Sequence, residues 1–205
     1  MKIIRYFFEF LIIIFLFTIF KILGYKLASN SGAIIGRYFG PLFRSKKKIL
    51  SNIKIALPHL EEKNIKLIFN EMWTNYGRIL SEYVFIKNFK NSKLNKFFTS
   101  EGQENLNKIK LSKDPVVFVS GHFNNFELMA MHIEKSGIDI AAIYRPLNNI
   151  FLNKIMVHLR KKYICQRQIK KGRSGTRELL KYIKKKYSVA IMIDQRVSEG
   201  IKANF

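Results

Sequence analysis

Apolar spacing divides the chain into three regimes. Residues 6 to 24 read Tyr-Phe-Phe-Glu-Phe-Leu-Ile-Ile-Ile-Phe-Leu-Phe-Thr-Ile-Phe-Lys-Ile-Leu-Gly, with no charge between Phe10 and Phe20. With Glu9 and Lys21 at its flanks, this run reaches about the 20 residues a bilayer needs. From Ser31 to about Ile86 the period is helical. Ile49, Ile53, Ile55 and Leu57 lead to Pro58, which ends a segment. Leu60 to Leu80 then carries Ile65, Leu67, Ile68, Met72, Trp73, Tyr76, Ile79 and Leu80 at three-four spacing, a core stripe. Residues 87 to 114 are polar and rich in Lys and Asn, with Phe97 and Phe98 as anchors.

Beyond Asp114 the apolar runs shorten. Val116 to Val119 is β-branched and uncharged and stops at Ser120-Gly121, which reads as a strand buried on both faces. Helices are predicted over Leu128–Lys135, Asn149–Tyr163 and Gly175–Lys186, and strands over Ile138–Tyr144 and Ser188–Ile193. This alternation predicts an α/β protein with a parallel or mixed sheet flanked by helices, preceded by a helical N-terminal region. The expected divisions are 1–24, an anchor helix; 25–110, helical; and 111–205, the α/β core.

Lys2 and Arg5 before the first apolar run would also suit a signal peptide. No small-x-small cleavage site follows, however, and Lys26 stands where cleavage would fall, so an uncleaved anchor is expected. A helix lying in the membrane interface is the other reading. Lys21, Lys26, Arg37, Arg44 and Lys46 to Lys48 outweigh Lys2 and Arg5, which puts the main body on the cytoplasmic side of the membrane. The formal net charge is +23, from 37 Lys plus Arg against 14 Asp plus Glu. Such a surplus suits anionic partners, although Lys and Asn are abundant throughout, as compositional drift would also produce. The basic residues lack the interleaved aromatic platform that nucleic-acid binding requires, so no nucleic acid is expected. Cys165 stands alone, and no Cys/His spacing suits zinc.

His122 and Glu127 follow the Ser120-Gly121 turn. Five positions on one helix is about 500°, which would leave the two side chains roughly 140° apart. They meet only if His122 lies in the turn and Glu127 in the first turn of the next helix. Ligands bind at the carboxyl ends of strands in such sheets, and a histidine held there by a carboxylate suits a general base. The alternative is structural: Asn124 as an N-cap and Glu127 as its capping-box partner. Tyr144-Arg145-Pro146 closes the second predicted strand, and Asp194-Gln195-Arg196 closes the third. Three strands thereby deliver His122 and Glu127, Arg145, and Asp194 and Arg196 to one sheet edge. Arg145 there suits a phosphate, which a guanidinium can bind bidentately.

These residues resemble the lipid A biosynthesis acyltransferases of the lauroyl/myristoyl type, themselves similar to glycerolphosphate acyltransferases. The family's Gly-His-x-x-Asn-x-Glu block is matched by Gly121-His122-Phe123-Asn124-Asn125-Phe126-Glu127. Asn124 replaces a frequent Gly, and Asn is the residue that next best tolerates left-handed backbone. Tyr144-Arg145-Pro146 with Asn149, then Arg160, Gly172 to Lys181 and Asp194-Gln195 follow in order, as do Asn52, Pro58, Trp73, Gly77 and Glu82 upstream. Ile150 stands where the family commonly has Pro. The family continues past its Asp-Gln motif, so the resemblance also predicts residues beyond Phe205 or an inactive remnant.

The resemblance implies a fold like that of glycerolphosphate acyltransferases and transfer of a fatty acyl chain from acyl carrier protein to a hydroxyl of an anionic glycolipid, a lipid A precursor. His122 would be the base and Glu127 its partner. Asn125, Arg145, Arg160, Asp194, Gln195 and Arg196 would bind substrate, with no cofactor and no metal. Ser120 and Ser174 lack a nucleophile-elbow pattern, so no covalent acyl-enzyme is expected. A glycerophospholipid acceptor is the alternative on the same scaffold. His59, His132 and His158 read as structural or surface residues.

Overall fold

The structure is a computed structural model that describes residues 2–194, and the chain divides into two compact units, 1–91 and 92–205. Gln195 and Arg196, two of the expected substrate-binding residues, lie outside the described residues.

The first unit is helical. α1 (Lys2–Leu23) is followed by α2 (Tyr25–Phe39), a 3₁₀ turn (Gly40–Phe43), α3 (Lys46–Ala56), α4 (Glu62–Glu82) and α5 (Ile86–Lys90). At 22 residues α1 is about 33 Å long, long and apolar enough to cross a membrane. α3 stops before Pro58, and of the predicted stripe α4 buries only Ile65 and Trp73, together with Phe69. Leu67, Tyr76 and Leu80 are exposed, so the core face is narrower than the apolar pattern. The tightest packing is between α2 and α4. Gly32, Gly36 and Gly40 recur every four residues and so share one face of α2 and the turn after it. A Cβ on Gly32 would strike Ser81 Oγ, one on Gly36 the Trp73 carbonyl, and one on Gly40 the Trp73 ring. From the other side, a Cβ on Gly77 would strike the Gly32 carbonyl oxygen. Only residues without side chains let two helix backbones approach this closely. Beside the contact lies a polar network. Ser29 Oγ donates to Glu82 Oε1 at 2.8 Å, and Arg78 Nη1 donates to Ser29 Oγ at 3.1 Å and Asn30 Oδ1 at 2.9 Å. Burial first, then the charge and hydrogen bond of Glu82, push the Tyr25 hydroxyl up to about 12.

The second unit is α/β. Its elements are α6 (Gln103–Ser112), β1 (Val117–Ser120), α7 (Glu127–Lys135), β2 (Ile140–Tyr144), α8 (Ile150–Leu159), β3 (Arg167–Lys170), α9 (Arg173–Lys184) and β4 (Ser188–Met192). The strands run in the order β1-β4-β2-β3, and every pairing is parallel. All four carboxyl ends therefore point to one edge, as the alternation of the sequence predicts. Ile140, Ala141, Ile169, Val189 and Ala190 form the buried heart of the sheet, with Met131, Ile133 and Ile164 packed among the elements around it.

Three expectations need correcting. β1 is not buried on both faces. Among the described residues it is an edge strand, with Val117 and Val119 60% and 50% exposed, because β-branching reports strand geometry and not position in the sheet. β3 was not foreseen. Arg167-Gln168-Ile169-Lys170 offers a single apolar side chain, Ile169, which is buried, and edge strands tolerate such polarity. The capping box does not form: Phe126 occupies the N-cap position without a side-chain cap, and Glu127 is the first helical residue. Of the two expected anchors, Phe98 packs against the His132 ring at 5.3 Å, while Phe97 remains exposed.

Candidate active site

The loop after β1 is shaped by its own residues. Gly121 is buried, and a Cβ there would meet the Phe123 ring and come within 3.1 Å of Asp194 Oδ2. Asn124 adopts φ 41°, the left-handed geometry expected of it. Its carbonyl accepts from Phe126 N at 3.0 Å, and the Asn125 carbonyl accepts from Leu128 N at 3.1 Å. The loop thereby curls back so that the His122 ring meets the Phe126 ring edge-on at 4.7 Å. His122 lies in the turn and Glu127 opens α7.

β4 neighbours β1, with Ser120 level with Met192, so the residues two beyond each are neighbours too. There Asp194 takes both faces of His122. The His122 backbone N–H donates to Asp194 Oδ2 at 2.6 Å, and Nδ1 lies 2.7 Å from Oδ1. These bonds, the backbone one foremost, hold the Asp194 carboxyl below its ordinary range. The carboxylate is therefore ionised at neutral pH and can only accept, so Nδ1 must carry a proton. In the neutral ring Nε2 is then the nitrogen with the basic lone pair.

Glu127 is 7% exposed, and its Oε1 accepts from Arg160 Nε at 2.8 Å and Nη2 at 2.5 Å. Arg160 comes from the end of α8, where the helix widens. Cys165 N donates to the Arg160 carbonyl five residues back, a π turn over Arg160–Ile164. Such turns re-aim a side chain within an otherwise regular helix, and they recur at functional sites. Asn149, buried, starts α8 by accepting from Phe151 N and Leu152 N. Arg145 follows β2 directly and is exposed, and among the described residues no carboxylate pairs with it. β2 lies on the far side of β4 from β1, so the Arg145 and His122 backbones are about 10 Å apart by strand spacing. Asn125 is half-buried in the loop itself.

The parallel sheet thus brings His122, Asp194 and Arg145 to one edge, with Glu127 and Arg160 joined behind the loop. The sequence singled out Asp194 and Arg160 but not what they hold, because neither contact is local in the chain. Such an edge offers an imidazole with a defined tautomer, a partly exposed carboxylate and an unneutralised guanidinium. The sequence model of the bacterial lipid A biosynthesis acyltransferases matches residues 1–205. The chain belongs to this family. No curated protein matches the chain. Membership makes the protein an O-acyltransferase. Among the described residues no cluster of His, Cys, Asp and Glu could hold a metal ion.

Proposed function

We propose that this acyltransferase moves a fatty acyl chain from an acyl carrier protein thioester to a hydroxyl of a lipid A precursor, while held in the inner membrane by α1. His122 Nε2 takes the proton of the acceptor hydroxyl as its oxygen attacks the thioester carbonyl carbon. When the tetrahedral intermediate collapses, the C–S bond breaks and the imidazolium returns the proton to the departing thiolate, giving ester and thiol. Asp194 fixes the tautomer, the part expected of Glu127 from sequence. Glu127, bonded to Arg160, stabilises the imidazolium. Arg145 takes a phosphate of the acceptor, and Asn125, Gln195 and Arg196 contribute to substrate binding. The excess of basic residues suits both an acidic carrier protein and an anionic glycolipid.

The observation that carries this reading is the Nδ1–Asp194 bond at the carboxyl edge of the sheet. The test is acyl transfer by the full chain in detergent micelles. Lipid A precursor and lysophospholipid would be compared as acceptors, and carrier-protein and coenzyme A thioesters as donors. His122→Ala is expected to lose about 10²–10⁴-fold; near-normal turnover would remove His122 as the base. Arg145→Ala is expected to raise KM for a phosphorylated acceptor more than it lowers kcat. Asp194→Asn is expected to lose less than the ~10⁴-fold of a buried triad aspartate, because its side chain is 38% exposed and water can replace it.

A further inference from the structure

In the first unit, α3 is an 11-residue helix that buries none of its residues. Ser45 caps its start by accepting from Lys48 N, so the helix is locally well begun although Ile49, Leu50 and Ile53 are only half-buried. Lys46, Leu50 and Lys54 form one row along it, and Lys47, Ser51 and Ile55 the adjacent row. Together the two rows line an open hollow of about 620 Å³. Leu42 and Phe43 in the preceding turn and Ile55 near the helix end are each 78% exposed. Among the described residues Arg44, Lys46, Lys47 and Lys48 pair with no carboxylate, whereas Lys54 pairs with Glu62.

Large apolar tips standing beside unneutralised cations suit a single environment, the boundary between headgroups and acyl chains. We propose that the turn and α3, residues 42–55, dock on a bilayer surface containing anionic lipid, a second membrane contact separate from α1. Leu42, Phe43 and Ile55 enter the acyl boundary, and Arg44 and Lys46–Lys48 meet lipid phosphates. Continuity favours a membrane over an acidic protein. Leu27, Ile34 and Tyr38 share one face of α2 and are exposed, so an apolar track runs from the end of α1 to this turn. An acidic protein would satisfy the lysines and leave that track in water.

The inference rests on the membrane reading of α1 and not on the chemistry at His122. Cys165 is the only cysteine and is buried, so Phe43→Cys or Ile55→Cys in the full chain carries a polarity-sensitive fluorophore at one position. The probes are vesicles of phosphatidylcholine with and without phosphatidylglycerol, and separately a soluble acidic carrier protein. Both labels should shift to the blue with anionic vesicles and much less with neutral ones. Replacing Lys46, Lys47 and Lys48 by Gln should lower the lipid-inserted population about fivefold per lysine. Flotation with anionic vesicles while both labels stay in water would overturn the docking surface and leave the α1 anchor standing. Failure to float at all would overturn both. A response to the carrier protein but not to anionic vesicles would also overturn it, assigning the face to a protein partner.

Discussion

At the α2–α4 crossing, Glu82 and Arg78 sit within a lattice of helix contacts, and their hydrogen bonds run to Ser29 and Asn30 of a partner helix that glycines have brought close. At the carboxyl edge of the sheet, Asp194 and His122 also bind each other, yet both come from loops and both keep some contact with solvent. The first set ties two helices together; the second closes the loop after β1 onto the end of β4. Trp73, Gly77 and Glu82 also resemble family residues, and all three stand at this helix crossing. Similarity to a family motif therefore does not by itself distinguish chemistry from packing.

The sharpest way to break this contrast is His122→Ala. Catalysis should fall by about 10²–10⁴-fold while stability changes by about 1 kcal/mol, one half-buried hydrogen bond. Comparable losses of both would make His122 a structural residue. Next is the Glu127–Arg160 pair, whose side chains are only 8% and 14% exposed. Glu127→Ala strands a guanidinium in the interior and should cost about 3–5 kcal/mol, read as a fall in Tm. Replacing both residues by similar-sized apolar ones should recover most of the stability and none of the activity. Recovered activity would deny Glu127 any part in catalysis.

Gly77→Ala probes the other region. The added methyl meets the Gly32 carbonyl, so α2 must shift, at about 1–3 kcal/mol. Denaturant titration should show this loss, with no change in KM for either substrate. A selective change in KM would show that the crossing also shapes the site.

The parts legible in the sequence were those with local causes. The apolar run of α1, the helical period of α4 and the alternation after Asp114 each reflect spacing within one segment. Carboxyl-edge convergence was also legible, since parallel strands leave no other choice. What escaped depended on neighbours distant in the chain. β3 is defined by β2 beside it and not by Arg167-Gln168-Ile169-Lys170 itself, and β1 became an edge because β4 pairs with it on one side. His122 and Asp194 are 72 residues apart, so no spacing rule could join them. The glycines of α2 were visible, but their purpose needed the backbone of α4.

The smallest effect is in the pH dependence, where the two regions should fail at opposite ends. Tyr25 is neutral when protonated, and burial and Glu82 both oppose its ionisation, so the folded value rises from 10.0 to about 12. Its contribution is fully present below pH 10 and is lost as pH rises towards 12, because the unfolded chain ionises first. Asp194 has the reverse sign. Its carboxyl is lowered from 3.8, so its contribution is present above that pH and fades only in stronger acid, as pH falls through the folded value. Tyr25→Phe should therefore narrow the alkaline loss of stability between pH 10 and 12 without touching the acid limb, and Asp194→Asn should do the converse. Thermal unfolding across both windows separates the two. Parallel curves for Tyr25→Phe and the parent protein above pH 10 would mean that this hydroxyl is not held by Glu82, and the account of the α2–α4 network as a fixed set of charges would lose its support.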